Sequence, residues 1–295
     1  MSVSTSRLHP DSRLELRAFV QRVQGHDSEA PLSEYKEMRL AGNIDIRERV
    51  AYGEDGSLVG YGQAAWHRGG GDVDGHWAIE IVVRPDLRDA TVAGELIESL
   101  RLEFDGAEVI LWARSPYVAS AARATGWRRQ RELLGMERSL PIDCLEQSID
   151  DTIVSTFRMG VDEAAWLEAN NAAFTGHPEN GSITRRDLEH RISQPWFDAD
   201  GFFLAWEGDR LIGSCWTKIH DDGVGEIYIV GVVPAWKGKG LGKALVCHGL
   251  DYLSRSRHVG RARLYVEGSN EAALGLYAKL GFETTRIIEA FAYPE

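Results

Sequence analysis

A glycine-rich run in the C-terminal half of the chain could bind a phosphate group. Residues 237–243 read KGKGLGK, which places three lysines together on a chain of net charge -12. The run follows the apolar segment Ile227 to Val233 and Pro234, and helical spacing begins inside it, with Leu241 and Leu245 on one face. A strand, a glycine loop and a helix N-terminus bind anions, because glycine lets backbone N–H groups approach the ligand and the helix dipole favours negative charge.

Two common nucleotide-binding loops do not fit this run. A dinucleotide fingerprint needs glycine at position 243, where the chain has Lys243. A P-loop needs glycine at 237 and serine or threonine at 244, where the chain has Lys237 and Ala244. The run fits a third pattern, in which a basic residue is followed by x-x-Gly-x-Gly and the whole comes after Val-x-Pro. The structural alternative is a solvated helix start that is rich in basic residues.

Two motifs in this order resemble the GNAT superfamily of N-acetyltransferases. The loop is the first motif, and residues 270–277 (NEAALGLY), followed by Gly281 and Phe282, are the second. The resemblance implies an α/β (α+β) fold with a mixed central sheet flanked by helices. It also implies that the loop binds the pyrophosphate of acetyl-CoA, the co-substrate, and that no metal takes part.

The predicted elements agree with this class. The spacing of apolar residues predicts helices over 161–170, 241–254 and 270–280, a hairpin over 202–218, and strands over 226–233, 263–267 and 287–292. Strands that alternate with helices are typical of α/β folds.

Acetyl transfer from a thioester to an amine requires two proton transfers. In the superfamily the amine attacks the thioester directly in a ternary complex, so the amine must lose a proton and the departing thiolate should gain one. By analogy, Glu226, the lone acid that opens the strand, is the candidate base, acting directly or through water, and Tyr277 is the candidate acid. The structural alternatives are an exposed acid at a strand end and a core aromatic residue.

The chain carries an internal repeat, which predicts a duplicated domain. The matching segments are 78–97 with 228–246, anchored by Pro85 and Pro234, and 111–129 with 264–284. We therefore predict one GNAT-like domain over 1–142 and a second over 153–295, with an acidic linker between them.

The repeat also indicates which copy is active. With the two prolines in register, Glu226 corresponds to Trp77, and Tyr277 corresponds to Ala122 in the second motif pair. The loop becomes Arg88 to Ala93, which contains no glycine. We predict that the first domain is degenerate and non-catalytic, and that it binds acetyl-CoA weakly, unproductively or not at all.

A closer resemblance covers most of residues 160–295. Residues 225–232 (GEIYIVGV), 162–179 and 264–267 (LYVE) look like those of the mycothiol synthases, actinobacterial tandem GNAT enzymes with an active second copy. That family acetylates the cysteinyl amine of desacetylmycothiol, a cysteine linked to glucosaminyl-inositol, and the products are mycothiol and CoA.

The resemblance implies contacts for both substrates. The implied acceptor contacts are Glu34, Glu179, Lys218, Glu226 and Tyr265. The implied acetyl-CoA contacts of the second copy are Val230, Gly231, Val232, Lys237, Gly238, Lys239, Gly240, Leu241, Gly242, Lys243, Asn270, Glu271, Ala272, Ala273, Leu274 and Gly275. Those of the first copy are Ile81, Val82, Val83, Arg88 and Ala93, where Asp89, Ala90 and Thr91 depart from the glycine-bearing pattern. Each acceptor contact has a structural alternative, as a helix-start acid, a turn residue, a solvated strand end or a strand aromatic.

Composition limits the other functions. The net charge of -12 argues against binding to nucleic acid or to an anionic membrane surface. The N-terminus lacks the apolar stretch of a signal peptide and no window has the length of a membrane span, so we expect a cytoplasmic protein, and a monomer. Cys144, Cys215 and Cys247 are widely spaced, so we predict neither a disulfide framework nor a zinc site, and a buried side chain for each.

Two other functions stay open at the level of the sequence. One is acetylation of another small amine, such as an aminosugar or a polyamine. The other is a non-catalytic acetyl-CoA-binding module, against which the presence of Glu226 and Tyr277 in only one copy argues.

Overall fold

The structure is a computed structural model that describes residues 4–27, 30–37, 39–40, 46–67, 75–88, 90–104, 106–143, 152–177 and 180–294. The chain divides into two compact units. The first unit holds the residues up to His67, Gly75–Leu133 and the chain from Ile287 on, and the second holds Leu134–Arg286. No helix in the described ranges is long and apolar enough to cross a membrane.

The first unit is a mixed sheet with helices. Its elements are β1 (Ser4–Ser6), α1 (Arg13–Asp27), α2 (Glu34–Glu37), β2 (Ile46–Tyr52), β3 (Leu58–His67), β4 (His76–Val83), α3 (Ala90–Arg101), β5 (Val109–Ala113), α4 (Pro116–Ala124) and β6 (Arg128–Ser139), which leads into the second unit.

The second unit repeats this arrangement. Its elements are β7 (Ile153–Thr156), α5 (Glu163–Ala173), α6 (Arg185–Ile192), β8 (Phe202–Glu207), β9 (Arg210–Ile219), β10 (Gly225–Val232), α7 (Leu241–Asp251), β11 (Arg261–Glu267), α8 (Glu271–Lys279) and β12 (Glu283–Ala292), which returns to the first unit.

The strands of the two units have the same local order. The strand order is β1-β2-β3-β4-β5-β12 in the first unit and β6-β11-β10-β9-β8-β7 in the second. The pairs β4–β5 and β10–β11 are parallel. The antiparallel pairs are β1–β2, β2–β3, β3–β4, β5–β12, β7–β8, β8–β9 and β9–β10. A helix connects the two strands of each parallel pair, since parallel neighbours need a crossover.

The unit boundaries differ from the predicted domains, 1–142 and 153–295. The first unit ends at Leu133, and the residues from Ile287 on belong to it again. The physical reason is the pairing of β12, because Glu289 to Ala292 pair with Ala113 to Ile110 of β5. Hydrophobic periodicity identifies a terminal strand but does not indicate which sheet it completes.

Two helices of the second unit, α6 and α8, begin directly after a residue whose side chain caps them. Thr184 and Asp187 form a capping box at the start of α6. The Asn270 side chain accepts a hydrogen bond from the Ala273 N–H at 3.1 Å and so caps α8. The predicted helix over 241–254 is α7 followed by a π-helical turn, Tyr252–Ser256.

The parallel strands separate early in both units. In the second unit β10 pairs with β11 only over Gly225 to Ile227, opposite Ala262 to Leu264. In the first unit β4 pairs with β5 only over Trp77 to Ile79. Beyond these residues the edges of β10 and β11 that face each other are free of ladder hydrogen bonds, so their backbone groups can bind a ligand.

A β-bulge distinguishes the two copies. The register between β9 and β10 shifts between Ile227 and Ile229, whereas that between β3 and β4 is continuous. The extra residue, Tyr228, changes the correspondence obtained from the prolines. Because Glu226 and Ala78 each occupy the middle of the three parallel pairs, the structural counterpart of Glu226 is Ala78, and the predicted Trp77 was one residue off.

A core of stacked aromatic rings supports the second unit. Phe202 lies between Phe157 and Trp216, with ring centroids 4.6 and 4.3 Å away. Trp166 of α5 packs edge-on against Trp216, and its indole N–H donates to Ser214 Oγ at 3.1 Å. Such packing fixes α5 against β9, the strand next to β10.

Two of the three cysteines lie within the described residues. Cys215 is a free, buried thiol, and burial raises its pKa to about 12. Cys247 is buried on α7, as predicted. Cys144 lies outside the described residues.

Candidate active site

The glycine loop has the backbone that its sequence requires. Gly238 and Gly240 have φ angles of +79° and +89°, in the left-handed region that side chains rarely adopt. A Cβ at either position would meet no atom within 4 Å, so the backbone angle, and not a lack of space, requires glycine there. Gly240 caps α7, whose first helical hydrogen bond is from Ala244 N–H to Gly240 O at 3.1 Å. The N–H groups of residues 241–243 precede that bond and are oriented to bind an anion.

A cavity joins this loop to the second motif. It has a volume of about 680 Å³ and is lined by Gly238, Lys243, Glu271, Ala272, Gly275, Leu276 and Lys279. The fold thus brings together residues from both runs in which the resemblance implies cofactor contacts. Lys279, one turn beyond Gly275 on α8, had not been predicted.

The lysines around this cavity differ in their partners. Lys237 Nζ donates to Ala173 O at 3.2 Å, and Lys239 Nζ lies 4.4 Å from the Trp236 ring. Lys243 and Lys279 make no hydrogen bond or ion pair within the described part of the chain. Their charges are therefore available to an anionic ligand.

A smaller cavity extends the cationic region. Its volume is about 320 Å³, and its lining is Arg138, Ile142, Asp143, Lys243, Lys279, Leu280 and Gly281. Arg138 donates hydrogen bonds to the carbonyl oxygens of Ser139, Pro141 and Leu280, which hold its guanidinium in place without neutralising its charge.

The candidate base is enclosed. Glu226 is 7% exposed, so it is not a solvated acid at a strand end. Its Oε2 lies 2.5 Å from Nε2 of His220. Lys218 on β9 and Arg263 on β11 stand directly opposite it, so cations flank the carboxylate on both neighbouring strands.

Lys218 is also enclosed, although its alternative was a solvated strand end. It is 9% exposed, and its Nζ lies 4.5 Å from the Trp196 ring centroid and 5.4 Å from that of Tyr228. The faces of aromatic rings attract cations. Arg191 Nε in turn donates to Tyr228 Oη at 3.0 Å. The bulge at Tyr228 therefore contributes one of the two rings that hold Lys218.

The other predicted acceptor contacts are less closely grouped. Tyr265 lies two residues after Arg263 on β11, so strand alternation places both on the face that carries Glu226. Glu34 is the first residue of α2, in the first unit. Glu179 lies outside the described residues.

The candidate acid is buried in α8. Tyr277 is 6% exposed and contacts the Phe282 ring edge-on at 5.9 Å. Burial raises the pKa of its hydroxyl, and the Cys215 thiol raises it further. The hydroxyl therefore stays protonated near neutral pH and can donate a hydrogen bond to a nearby acceptor.

In the first unit the corresponding positions contain the protein's own side chains. The Val83 N–H, at the end of β4, donates to Tyr117 Oη at 3.2 Å. Arg88 pairs with Asp27 at 2.6 Å and lies 5.2 Å over the Tyr117 ring. The fully buried Lys36 donates to the carbonyl of Ala78, the counterpart of Glu226.

The remaining cofactor residues predicted for the first unit are enclosed. Ile81 and Val82 are buried in β4, and Ala93 is buried in α3. Unlike Lys243, none of these residues lines either of the cavities described above.

Sequence reasoning missed His220 beside Glu226, Trp196 and Tyr228 beside Lys218, and Lys279 and Arg138 in the cavities near the loop. The sequence gives one indication for His220, which follows the predicted hairpin and lies six residues before Glu226. His220 and Glu226 come close because β9 and β10 form an antiparallel pair joined by a short turn.

Comparisons with known proteins agree with this geometry. The model of the acetyltransferase (GNAT) family matches residues 164–282. A mycothiol acetyltransferase from Geodermatophilus obscurus is 40% identical over 94% of this chain and 92% of its own length. One from Thermomonospora curvata is 40% identical over 91% of this chain and 89% of its own length.

Solved structures confirm the predicted α/β class. A GCN5-related N-acetyltransferase from Sphaerobacter thermophilus has a TM-score of 0.72 at 22% identity, and the match covers 98% of this chain and 95% of that one. A tandem GNAT protein from the clavulanic acid biosynthesis pathway has a TM-score of 0.70 at 15% identity, over 100% of both chains. Within the described residues, no group of three or more His, Cys, Asp or Glu side chains could hold a metal ion.

The loop backbone leads to a first prediction. In Gly240→Ala a residue with a Cβ must adopt the left-handed region, at a cost of roughly 1–2 kcal/mol. If the loop relaxes away from this geometry, acetyl-CoA should bind about 5 to 30 times more weakly by isothermal titration calorimetry. The matched control is Gly260→Ala, whose φ is ordinary and whose new Cβ meets no atom within 4 Å. Equal affinities of the two variants would contradict the anion-binding role of the loop.

Proposed function

Since the chain belongs to the family of mycothiol acetyltransferases, which are GNAT acetyltransferases, we propose that it transfers acetyl from acetyl-CoA to the cysteinyl amine of desacetylmycothiol. The products are mycothiol and CoA. The observation that carries the proposal is the enclosed Glu226, flanked by cations, in the unit that holds the loop and its cavity.

The second unit provides the cofactor site of this proposal. The pyrophosphate binds the N–H groups at the start of α7 and the unpaired ammonium groups of Lys243 and Lys279. The amide groups of the pantetheine arm bind the free edge of β10 at Val230 to Val232, where pairing with β11 has ended. The run from Asn270 to Gly275 forms the opposite wall.

The reaction is a direct displacement in a ternary complex. The amine nitrogen attacks the thioester carbon, Glu226 takes the ammonium proton directly or through water, and an N–C bond replaces the C–S bond. The departing thiolate receives a proton from Tyr277. An α-amine has a pKa near 8, so a modest base is sufficient at neutral pH.

The acceptor is recognised by charged and hydroxyl groups. We assign this role to Lys218, Glu226 and Tyr265 in the second unit, to Glu34 on α2 and to Glu179. Acids and a lysine form hydrogen bonds with the hydroxyl groups of a sugar and an inositol, and an acid attracts the ammonium group.

The first unit, in this proposal, performs no catalysis. Alanine stands at the counterparts of both proton-transfer residues, Ala78 and Ala122. Tyr117, Arg88 and Lys36 fill the positions in which a cofactor would lie or react. The same proposal places the protein in the cytoplasm, as a monomer that uses small-molecule substrates and binds neither nucleic acid nor membranes, in keeping with its charge of -12.

One assay tests the proposed reaction. The purified chain is incubated with acetyl-CoA and each of five amines: cysteinyl-glucosaminyl-inositol, glucosaminyl-inositol, free cysteine, an aminoglycoside and a polyamine. CoA release is followed chromatographically, because the proposed acceptor carries its own thiol. We expect release with the first amine far above the others. Release only with other amines would refute the assignment, and no release with any amine would favour a non-catalytic binding module.

The base assignment gives a second prediction. Glu226→Gln keeps the shape of the side chain but cannot take a proton, so kcat at neutral pH should fall by about 10²-fold or more. The loss should shrink at high pH, where the amine is already deprotonated. The affinity for acetyl-CoA, measured by calorimetry, should stay within about twofold, since Glu226 takes no part in phosphate binding. A large loss of cofactor affinity would show that the role is wrong.

The filled groove of the first unit gives a third prediction. Calorimetric titration of the full chain should show one acetyl-CoA site per chain, because Tyr117 and Arg88 occupy the groove beside β4. Gly240→Ala should weaken this single site, whereas Tyr117→Ala should leave it unchanged. Two sites in the unmodified chain would contradict this reading of the first unit.

A further inference from the structure

The side chain of His220 contacts Glu226, the proposed base. We infer that His220 is a positioning and proton-relay residue, which holds Glu226 through Oε2 and passes the proton taken from the amine to solvent. The inference rests on the proposed role of Glu226 and adds to it a residue that the motifs do not include.

The contact connects a buried group to an accessible one. His220 Nε2 lies 2.5 Å from Glu226 Oε2. The glutamate side chain is 10% exposed and the histidine side chain is 29% exposed. The imidazole therefore extends from an enclosed carboxylate toward water, as a relay requires, since its two ring nitrogens can bind different partners at the same time.

The backbone holds the ring in this place. The His220 N–H donates to Val224 O at 3.0 Å, and the Gly223 N–H donates to His220 O at 2.9 Å. Asp222 Oδ1 accepts from the Val224 N–H at 3.0 Å, and Gly223 has a φ of +78°, which this turn requires. The turn closes directly onto β10, so the positions of His220 and Glu226 are both fixed by the hairpin.

Charged residues lie close to Glu226 and His220 on each neighbouring element. Lys218 lies opposite Glu226 on β9, and Arg263 lies opposite it on β11. Arg263 Nε donates to Glu137 Oε1 of β6 at 2.7 Å, and Arg261 lies 3.6 Å from the same carboxylate. Asp221 and Asp222 are exposed on the turn itself.

The relay balances in protons and charge. The substrate ammonium gives a proton to the Glu226 carboxylate and becomes the attacking amine. The resulting carboxylic acid gives a proton to the neutral imidazole at Nε2, which restores the carboxylate and forms imidazolium. Imidazolium releases a proton from Nδ1 to water, which leaves the neutral ring with its proton on Nε2, where it donates to Oε2 and holds the carboxylate. Proton exchange with water restores the Nδ1–H form before the next turnover. Imidazole is suited to this step because it exchanges protons near neutral pH.

Two variants separate positioning from proton transfer. His220→Gln retains an amide that can donate to Glu226 Oε2 but cannot relay a proton, and His220→Ala removes both abilities. We expect kcat to fall at least about tenfold in each, within the range that a positioned acid or base contributes, with the KM for acetyl-CoA unchanged. The acceptor KM should rise only in His220→Ala. The acidic limb of the kcat profile against pH should move in both.

Chemical rescue of kcat by added imidazole distinguishes proton transfer by His220 from a purely structural role. Added imidazole should restore part of kcat in His220→Ala, where a cavity is open to it, and not in His220→Gln, where the site is filled. Asp221→Asn, an exposed charge change on the same turn, is the matched control and should leave kcat and its pH profile unchanged. Circular dichroism and thermal melts establish that each variant is folded.

A double-variant comparison ties the effect to Glu226. In a Glu226→Gln background the change His220→Gln should have no further effect on kcat, since there is no carboxylate proton to relay. An equal loss in both backgrounds, or wild-type kcat and pH profile in His220→Gln, would overturn the relay. Failure of the proposed function would look different, because the unmodified chain would then release no CoA with the acceptor.

Discussion

The early separation of two parallel strands is the constraint on which the candidate active site of the second unit depends. After Ile227 and Leu264 the ladder between β10 and β11 stops, and the backbone of β10 is left with one unpaired edge in the middle of a sheet. An unpaired edge there is costly unless a ligand completes it. The glycine loop, the N-terminus of α7 and the second motif on α8 all follow this opening in the chain, and in the proposed function the open edge of β10 binds the pantetheine arm of acetyl-CoA.

The bulge at Tyr228 is what distinguishes the two copies of this arrangement. Tyr228 is one extra residue in β10, so the residues before it, including Glu226, lie one position further from the glycine loop than their counterparts in β4. Its ring also lies beside Lys218. The first copy has a continuous ladder at this place, with Ala78 at the position of Glu226 and the Lys36 ammonium bound to its carbonyl. The same topology thus holds a carboxylate between two cations in one copy and an alanine whose carbonyl binds a buried lysine in the other.

Local features of the fold were predictable from the sequence, because their causes lie within a few residues. The left-handed glycines 238 and 240, the Asn270 cap and the apolar run before Pro234 belong to this class. Features that depend on distant partners were not. The contact of the His220 ring nitrogen with Glu226 and the one-residue shift at the bulge depend on which strands pair, and hydrophobic periodicity does not contain that information.

The pairing of β12 with β5 also bears on how the protein is made. Glu289 to Ala292 pair with β5 of the first unit, yet they follow all the strands of the second unit in the chain. For most of translation that sheet has an open edge at β5, even after every other strand of the unit has been synthesised. Folding of the first unit is therefore completed only after the whole second unit has been synthesised, so the edge at β5 stays open to wrong partners during that time.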